Sequence, residues 1–200
     1  MYFKKSELLE AYKKDVYNFT LNLENKFKKK KNITVSDIYE IMLWKLSRFP
    51  NYDKKPIDKK ITDIFDELKE CKSITTNQDK EFVKEKIKEL LKVKGFKLPM
   101  ISTILFFINP DVFQIIDKRV NRIVMGNNKD YSKNFKNNSV EYYLEYLEKL
   151  HELEEEKFSK SGQIFYQLDK EKGFKLDSEL NPEEIKKIQN EYKKENPQST

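Results

Sequence analysis

The chain has 200 residues, of which 38% are hydrophobic and 37% charged, with 40 Lys+Arg against 34 Asp+Glu. That length suits one domain or two small helical lobes sharing a core, and the apolar content lies above the disorder regime. A single cysteine, Cys71, excludes an internal disulfide and a multi-cysteine metal or iron–sulfur site.

With 4 Gly and 6 Pro, hairpin turns have few places to form, and regular alternating strands are absent from the pattern, so an all-α fold is expected. No apolar run reaches the roughly 18 residues of a membrane span. The first residues, Met1 to Glu10, lack the apolar stretch of a secretory signal. A cytoplasmic monomer, working at a bacterial-type nucleoid without a membrane partner, is expected. The net charge of +6 fits nucleic-acid binding, although lysine-rich AT-biased genomes produce such a value without function. Its distribution says more. Lys92 to Arg122 holds six basic residues against two acidic ones, whereas Glu141 to Lys157 holds seven Glu against two Lys. One face can meet phosphates while the other repels them.

Apolar spacing predicts helices in chain order. Leu8, Leu9, Tyr12, Val16, Phe19, Leu23 and Phe27 mark one long first helix ending in Lys28–Lys31, a run read either as a solvated helix end or as a phosphate contact. Thr34 or Ser36 caps a second helix carrying Ile38, Ile41, Met42 and Leu46, which stops before Pro50. Ile57, Ile61, Ile64, Phe65 and Leu68 give a third, and Val83, Ile87, Leu90 and Leu91 a fourth. Pro99 then stands at the first position of a helix bearing Ile101, Ile104, Leu105 and Ile108. Asn109-Pro110-Asp111 breaks it, Val112 to Ile116 runs extended, and Asp117 opens a helix with Val120, Ile123 and Val124. After a polar loop from Gly126 to Asn138 come an acidic helix around Tyr143–Leu153, one around Ile164–Leu168, and a last one starting at Pro182. A single domain over 1–195 is expected, with a frayed tail over 196–200.

Two helices joined by a tight turn at Gly95, over about 83–108, make a helix-hairpin-helix candidate. A turn at a helix N-terminus offers unpaired N–H groups in a positive dipole field, which grips a phosphate without reading sequence. Lys94 and Lys97 would add charge beside it. By itself this pattern is also that of an ordinary helix–helix turn.

The wider segment, Val93-Lys94-Gly95-Phe96-Lys97-Leu98-Pro99 through Pro110-Asp111-Val112-Phe113-Gln114-Ile115-Ile116-Asp117, resembles the helix-hairpin-helix DNA glycosylase superfamily. That group includes endonuclease III and the 8-oxoguanine, adenine and alkyl-base glycosylases. Its hairpin reads Leu-x-Gly-(Val or Ile)-Gly, followed by a helix, a loop and a Val-Asp or Ile-Asp opening the next helix. The match runs from about Ile87 to Val124, around a fifth of the chain. The resemblance implies a two-lobed glycosylase-like fold, duplex DNA with an extruded base as partner, no cofactor and no metal. It gives Asp117 the catalytic role and Lys94, Gly95, Phe96, Lys97, Lys118 and Arg119 contacts to DNA. A carboxylate beside the deoxyribose stabilises the oxocarbenium-like transition state of N-glycosidic cleavage. Asp is equally a preferred helix N-cap, and the two roles can coexist.

Two departures sharpen the expectation. Lys97 replaces the family's second hairpin glycine, so the turn must differ or hold Lys97 at positive φ. Counting eighteen residues back from Asp117, where bifunctional members carry their lyase lysine, reaches Pro99. Proline has no amine for a Schiff base. The resemblance therefore implies a monofunctional DNA glycosylase, in base-excision repair or in defence against foreign DNA with modified bases, unless Lys97 or Lys118 substitutes. Gln163, Tyr166 and Gln167 on a late helix are the base-pocket candidates, with Phe165 read as core. Trp44 serves either stacking or core packing, and His151 lies on the surface. The competing expectations are a catalytically inactive helix-hairpin-helix DNA-binding module and a helical protein-interaction domain.

Overall fold

The computed structural model of the chain describes residues 4–15, 18–47, 58–75, 80–93, 96–126, 139–175, 178 and 180–197. Every regular element among them is an α-helix. They fall into two compact units: a middle unit, Asn18–Ile115, and a terminal unit made of Met1–Tyr17 and Ile116–Thr200. The long first helix expected from the apolar spacing is two helices, α1 (Lys5–Asp15) and α2 (Asn18–Lys29), one in each unit. Val16-Tyr17-Asn18-Phe19-Thr20 is a run of weak helix formers, and an apolar stripe read without its partners does not show where it changes cores.

The middle unit also holds α3 (Val35–Ser47), α4 (Asp58–Ser73), α5 (Lys80–Lys92) and α6 (Leu98–Ile108). Helix α6 is buried at Leu98 and at every position from Ile101 to Ile108, and α2, α3, α4 and α5 all pack on it. A helix apolar on all sides can only be a core element. Phe107 receives the Trp44 ring edge-on at 5.1 Å and Phe27 at 6.0 Å. Thr34, rather than Ser36, precedes α3 and is bound by Asp37: its N–H and its hydroxyl both donate to Asp37 Oδ2, at 2.6 and 2.8 Å.

Two helix ends in this unit cap each other. Asn109 Nδ2 donates to the carbonyls of Cys71 (3.0 Å) and Ile74 (2.9 Å) at the end of α4, and Lys72 Nζ donates to the Ile108 carbonyl at the end of α6 (3.0 Å). These are carbonyls that a helix leaves without an internal partner. Burial pushes the Cys71 thiol up to about 12, so it stays protonated and unreactive at neutral pH.

The terminal unit adds α7 (Lys118–Met125), α8 (Val140–Leu153), α9 (Phe158–Glu171) and α10 (Pro182–Glu195). Short α7 packs against α8, α9 and α10, and α9 also packs on α1. Gly126 ends α7 at φ 82°, where a Cβ would stand 2.6 Å from Ile185 Cδ1 of α10. Only glycine meets both conditions. Buried Glu154, between α8 and α9, accepts from Lys5 Nζ (3.0 Å), from the Lys157 N–H (3.0 Å) and from the Tyr192 hydroxyl. One carboxylate thus joins α1, the α8–α9 corner and α10. Asn196, expected to begin the frayed tail, is instead buried. It accepts from the Lys5 N–H (2.7 Å) and donates to the Tyr192 carbonyl (2.9 Å), so the ordered chain continues through it. No described helix is long and apolar enough to cross a membrane.

Two predictions follow from the middle unit's polar joints. Asn109→Ala leaves the α4 carbonyls buried without their donor and should cost about 1–3 kcal/mol, read as a lowered urea midpoint at unchanged slope. Burial opposes the charge on Asp37, but hydrogen bonds from Lys30 and Thr34 outweigh it and hold the carboxyl below its ordinary 3.8. Its stabilising contribution is therefore full above that value and is lost as pH falls through the lower folded one. The stability gap between the native chain and Asp37→Asn should be constant near neutrality and close in acid; a gap independent of pH would refute it.

Candidate functional site

Asp117 sits at the entry to α7, where the chain arrives extended from a turn at Pro110–Val112. Its backbone is extended (φ −120°, ψ 147°), and its Oδ1 accepts from the Arg119 N–H at 2.8 Å. This is N-capping geometry: one oxygen satisfies a helix donor that would otherwise be unpaired. The carboxylate is half-buried at the positive end of the helix dipole. Its other oxygen takes no hydrogen bond from the described residues, and none of their cations lies within ion-pair distance of it.

The cation that could have paired with it is turned elsewhere. Arg119 Nη1 donates to Asp169 Oδ1 of α9 at 2.7 Å. Arg122, one turn further along α7, fills the same carboxylate from the other side, Nε to Oδ2 at 2.8 Å and Nη2 to Oδ1 at 2.9 Å. Arg122 is 1% exposed and Asp169 fully buried, and the remaining Arg122 donor, Nη1, reaches the carbonyls of Lys175 and Ser178, each at 2.7 Å, and Ser178 Oγ. The guanidinium therefore joins α7, α9 and the segment leading to α10. The Arg119 guanidinium also lies 5.9 Å from the Tyr166 ring centre, as does Lys170 Nζ, and Tyr12 of α1 meets that ring edge-on at 6.2 Å. Tyr12 and two cations thus gather around the Tyr166 ring, one of them Arg119 from the first turn of α7.

Two buried polar atoms nearby in the sequence of α7 and α9 have no hydrogen-bond partner among the described residues, Asn121 Nδ2 and Gln167 Oε1. Asn121 Oδ1 accepts from the Tyr142 hydroxyl of α8 at 2.9 Å, and Gln167 Nε2 donates to Glu171 at 2.7 Å.

The expected site residues divide between the units. Asp117, Lys118, Arg119, Gln163, Tyr166 and Gln167 belong to the terminal unit; Trp44, Lys94, Gly95, Phe96 and Lys97 belong to the middle one. Lys94 and Gly95 lie outside the described residues. Phe96, expected to face DNA, is instead core: its side chain is buried and its N–H is used by the Val93 carbonyl at 3.1 Å. Lys97 is exposed at the N-cap of α6 with an ordinary extended backbone (φ −113°, ψ 163°), so the lost glycine did not demand a positive φ. The helix starts at Leu98, which puts Pro99 in its second position rather than its first. Arg119 is engaged by Asp169 and is not available for phosphate, while Lys118 is half-buried. Gln163 and Gln167 are buried and Tyr166 is half-buried; Phe165 is core, 4.9 Å from the Tyr192 ring, and Trp44 is core in the middle unit.

Asp169 and Arg122 are the residues that sequence reasoning missed. The signal was present: Asp169 follows Phe165 by one turn on an apolar helix face, and Arg122 lies between Val120 and Ile123. A charge on an apolar face implies a buried partner. Asp169→Ala, which leaves two guanidinium groups without their acceptor, should cost about 3–5 kcal/mol, whereas Asp169→Leu combined with Arg122→Met should cost much less. Equal losses in urea titrations of the two variants would contradict the ion-pair account.

No protein-family model matches the chain, and no curated protein or solved structure matches it at a significant level.

Proposed function

We propose that the protein is a monofunctional DNA glycosylase of the helix-hairpin-helix type, acting on a damaged or modified base extruded from duplex DNA. The observation that carries this reading is the Asp117 carboxylate: fixed through one oxygen by the Arg119 N–H, without a partner among the described residues at the other, and half-buried at a helix start. A cap alone needs one oxygen. Catalysis needs a carboxylate that is both immobile and unpaired, because charge developing on the sugar is best stabilised by a group that does not reorganise.

In the proposed reaction the bond from C1′ of the deoxyribose to the base nitrogen breaks, and the electron pair leaves with the base. Asp117 stabilises the resulting positive charge and accepts a proton from water as the water oxygen bonds to C1′. The departing base takes up a proton, and the net change is hydrolysis to a free base and an abasic site. Pro99 supplies no amine, so no Schiff base forms there. Of the three base-pocket candidates Tyr166 is half-buried, while Gln163 and Gln167 are buried in the helix packing. Phe96 and Arg119 are otherwise engaged and are not among the proposed phosphate contacts.

Asn caps a helix about as well as Asp, which separates the two roles of residue 117. Asp117→Asn should unfold within about 0.5 kcal/mol of the native chain yet lose at least about a hundredfold in base release. The assay is a panel of duplexes with single lesions and modified bases, treated with and without alkali. Strand breaks should appear only after alkali, and borohydride should trap no covalent adduct. Duplex binding that survives in Asp117→Asn, with no base released from any substrate by the native chain, would make the protein a non-enzymatic DNA-binding module instead.

A further inference from the structure

We propose that Asp169 is a positioning residue that holds the Arg119 guanidinium off the Asp117 carboxylate and so keeps that carboxylate unpaired. Its catalytic consequence rests on the glycosylase reading above; the placement of charge does not. Two guanidinium groups share one carboxylate in this cluster, Arg119 at 2.7 Å and Arg122 at 2.8 and 2.9 Å, which leaves an excess positive charge one turn from Asp117. Among the described residues, the charged and titratable groups around Arg119 are Asp117 at the cap of α7, Lys118 and Arg122 on α7, Tyr166, Asp169 and Lys170 on α9, and Tyr12 on α1. Asp169 acts on the Arg119 charge most strongly after burial, then Tyr166, then Asp117.

Arg119 has a short path to either acid. Its own N–H already donates to Asp117 Oδ1 at 2.8 Å, so the carboxylate lies over the base of its flexible side chain. That side chain is 21% exposed, enough to change rotamer without opening the core. What decides the partner is burial. Asp169 is fully buried and Asp117 half-buried, and attraction between charges strengthens as water is excluded. The Tyr166 ring on the same side adds a cation–π contact in the same direction. Remove the buried acid, and Arg119 has Asp117 as its remaining carboxylate; an ion pair there would occupy the oxygen that the reaction uses.

The test uses the full chain and three variants: Asp169→Asn with Arg122→Gln, which removes the buried pair as a neutral couple; the same pair with Arg119→Gln; and Arg119→Gln alone. The first readout is the carbon-13 titration of the Asp117 carboxyl, assigned by its disappearance in Asp117→Asn. In the double variant the midpoint should move to lower pH by about one unit, since a nearby cation favours the charged form, and it should return in the triple variant. In Arg119→Gln alone it should stay within about half a unit of the native midpoint, because the guanidinium is already held away. The second readout is base release, expected to fall at least tenfold in the double variant and to recover in the triple one, a rescue that a purely structural role for Asp169 would not give. An unmoved Asp117 midpoint in the double variant, or an upward move of a unit or more in Arg119→Gln alone, overturns the proposal. Where the double variant does not fold, an upward move of a unit or more in Arg119→Gln alone still overturns the proposal. The expected titrations without base release from the native chain would sink the glycosylase reading and leave the positioning role standing.

Discussion

The terminal unit depends on one carboxylate serving two guanidinium groups. Asp169 is buried within α9, and through it Arg119 and Arg122 fix two successive turns of α7. Removing such charges from water is costly, and attraction compensates only where every donor finds an acceptor. Here the requirement is met by main-chain carbonyls as much as by the acid, since Lys175 and Ser178 take the Arg122 Nη1 donor. An eight-residue helix has little apolar area with which to fix its own orientation. Ionic fixing at two turns is what allows so short an element to stand among α8, α9 and α10, and the place of Asp117 at its start follows from that.

The middle unit solves the same problem in the opposite way. Its central helix, α6, is apolar on nearly every side, and burial alone determines where it lies. Its links to the neighbouring α4 through Asn109 and Lys72 lie at its end, where they satisfy helix ends that packing has already brought together. Hydrophobic packing of that kind tolerates changes that conserve volume, whereas a buried ion network is disrupted most when one partner is lost and the others remain. The chemically specific centre is therefore the terminal unit's, where Asp169 joins two guanidinium groups at the first two turns of α7.

Helix identity was legible wherever one apolar stripe faced one core, as in α3 to α6 and α8 to α10. It failed at α1 and α2, where the stripe continues in the same register while its partner changes from one unit to the other. Capping was legible at Asp117, because an acid followed by Val120, Ile123 and Val124 has the pattern of a helix start. For Arg122 and Asp169 the apolar neighbours show that each charge is buried, but not which residue some fifty positions away neutralises it. Phe96 misled for the opposite reason: its place in the resembling turn implied exposure, yet a phenyl ring in a turn between two core helices gains more by packing inward.

The same correction applies to positive charge. The segment from Lys92 to Arg122 looks basic by count, but Lys92 pairs with Glu89, and Arg119 and Arg122 share Asp169, which cancels one of their two charges. A neutralised cation adds little to the field that draws a polyanion, because acid and base cancel beyond the distance between them. Among the described residues of the middle unit, Lys28, Lys29, Lys31 and Lys97 keep ammonium groups without an acidic partner. Lys30, in the midst of that run, is drawn inward to Asp37. Among the described residues of this unit, uncompensated positive charge thus lies at the end of α2 and the start of α6, and it is set by which lysines lack a carboxylate within reach rather than by where lysines are most frequent in the sequence.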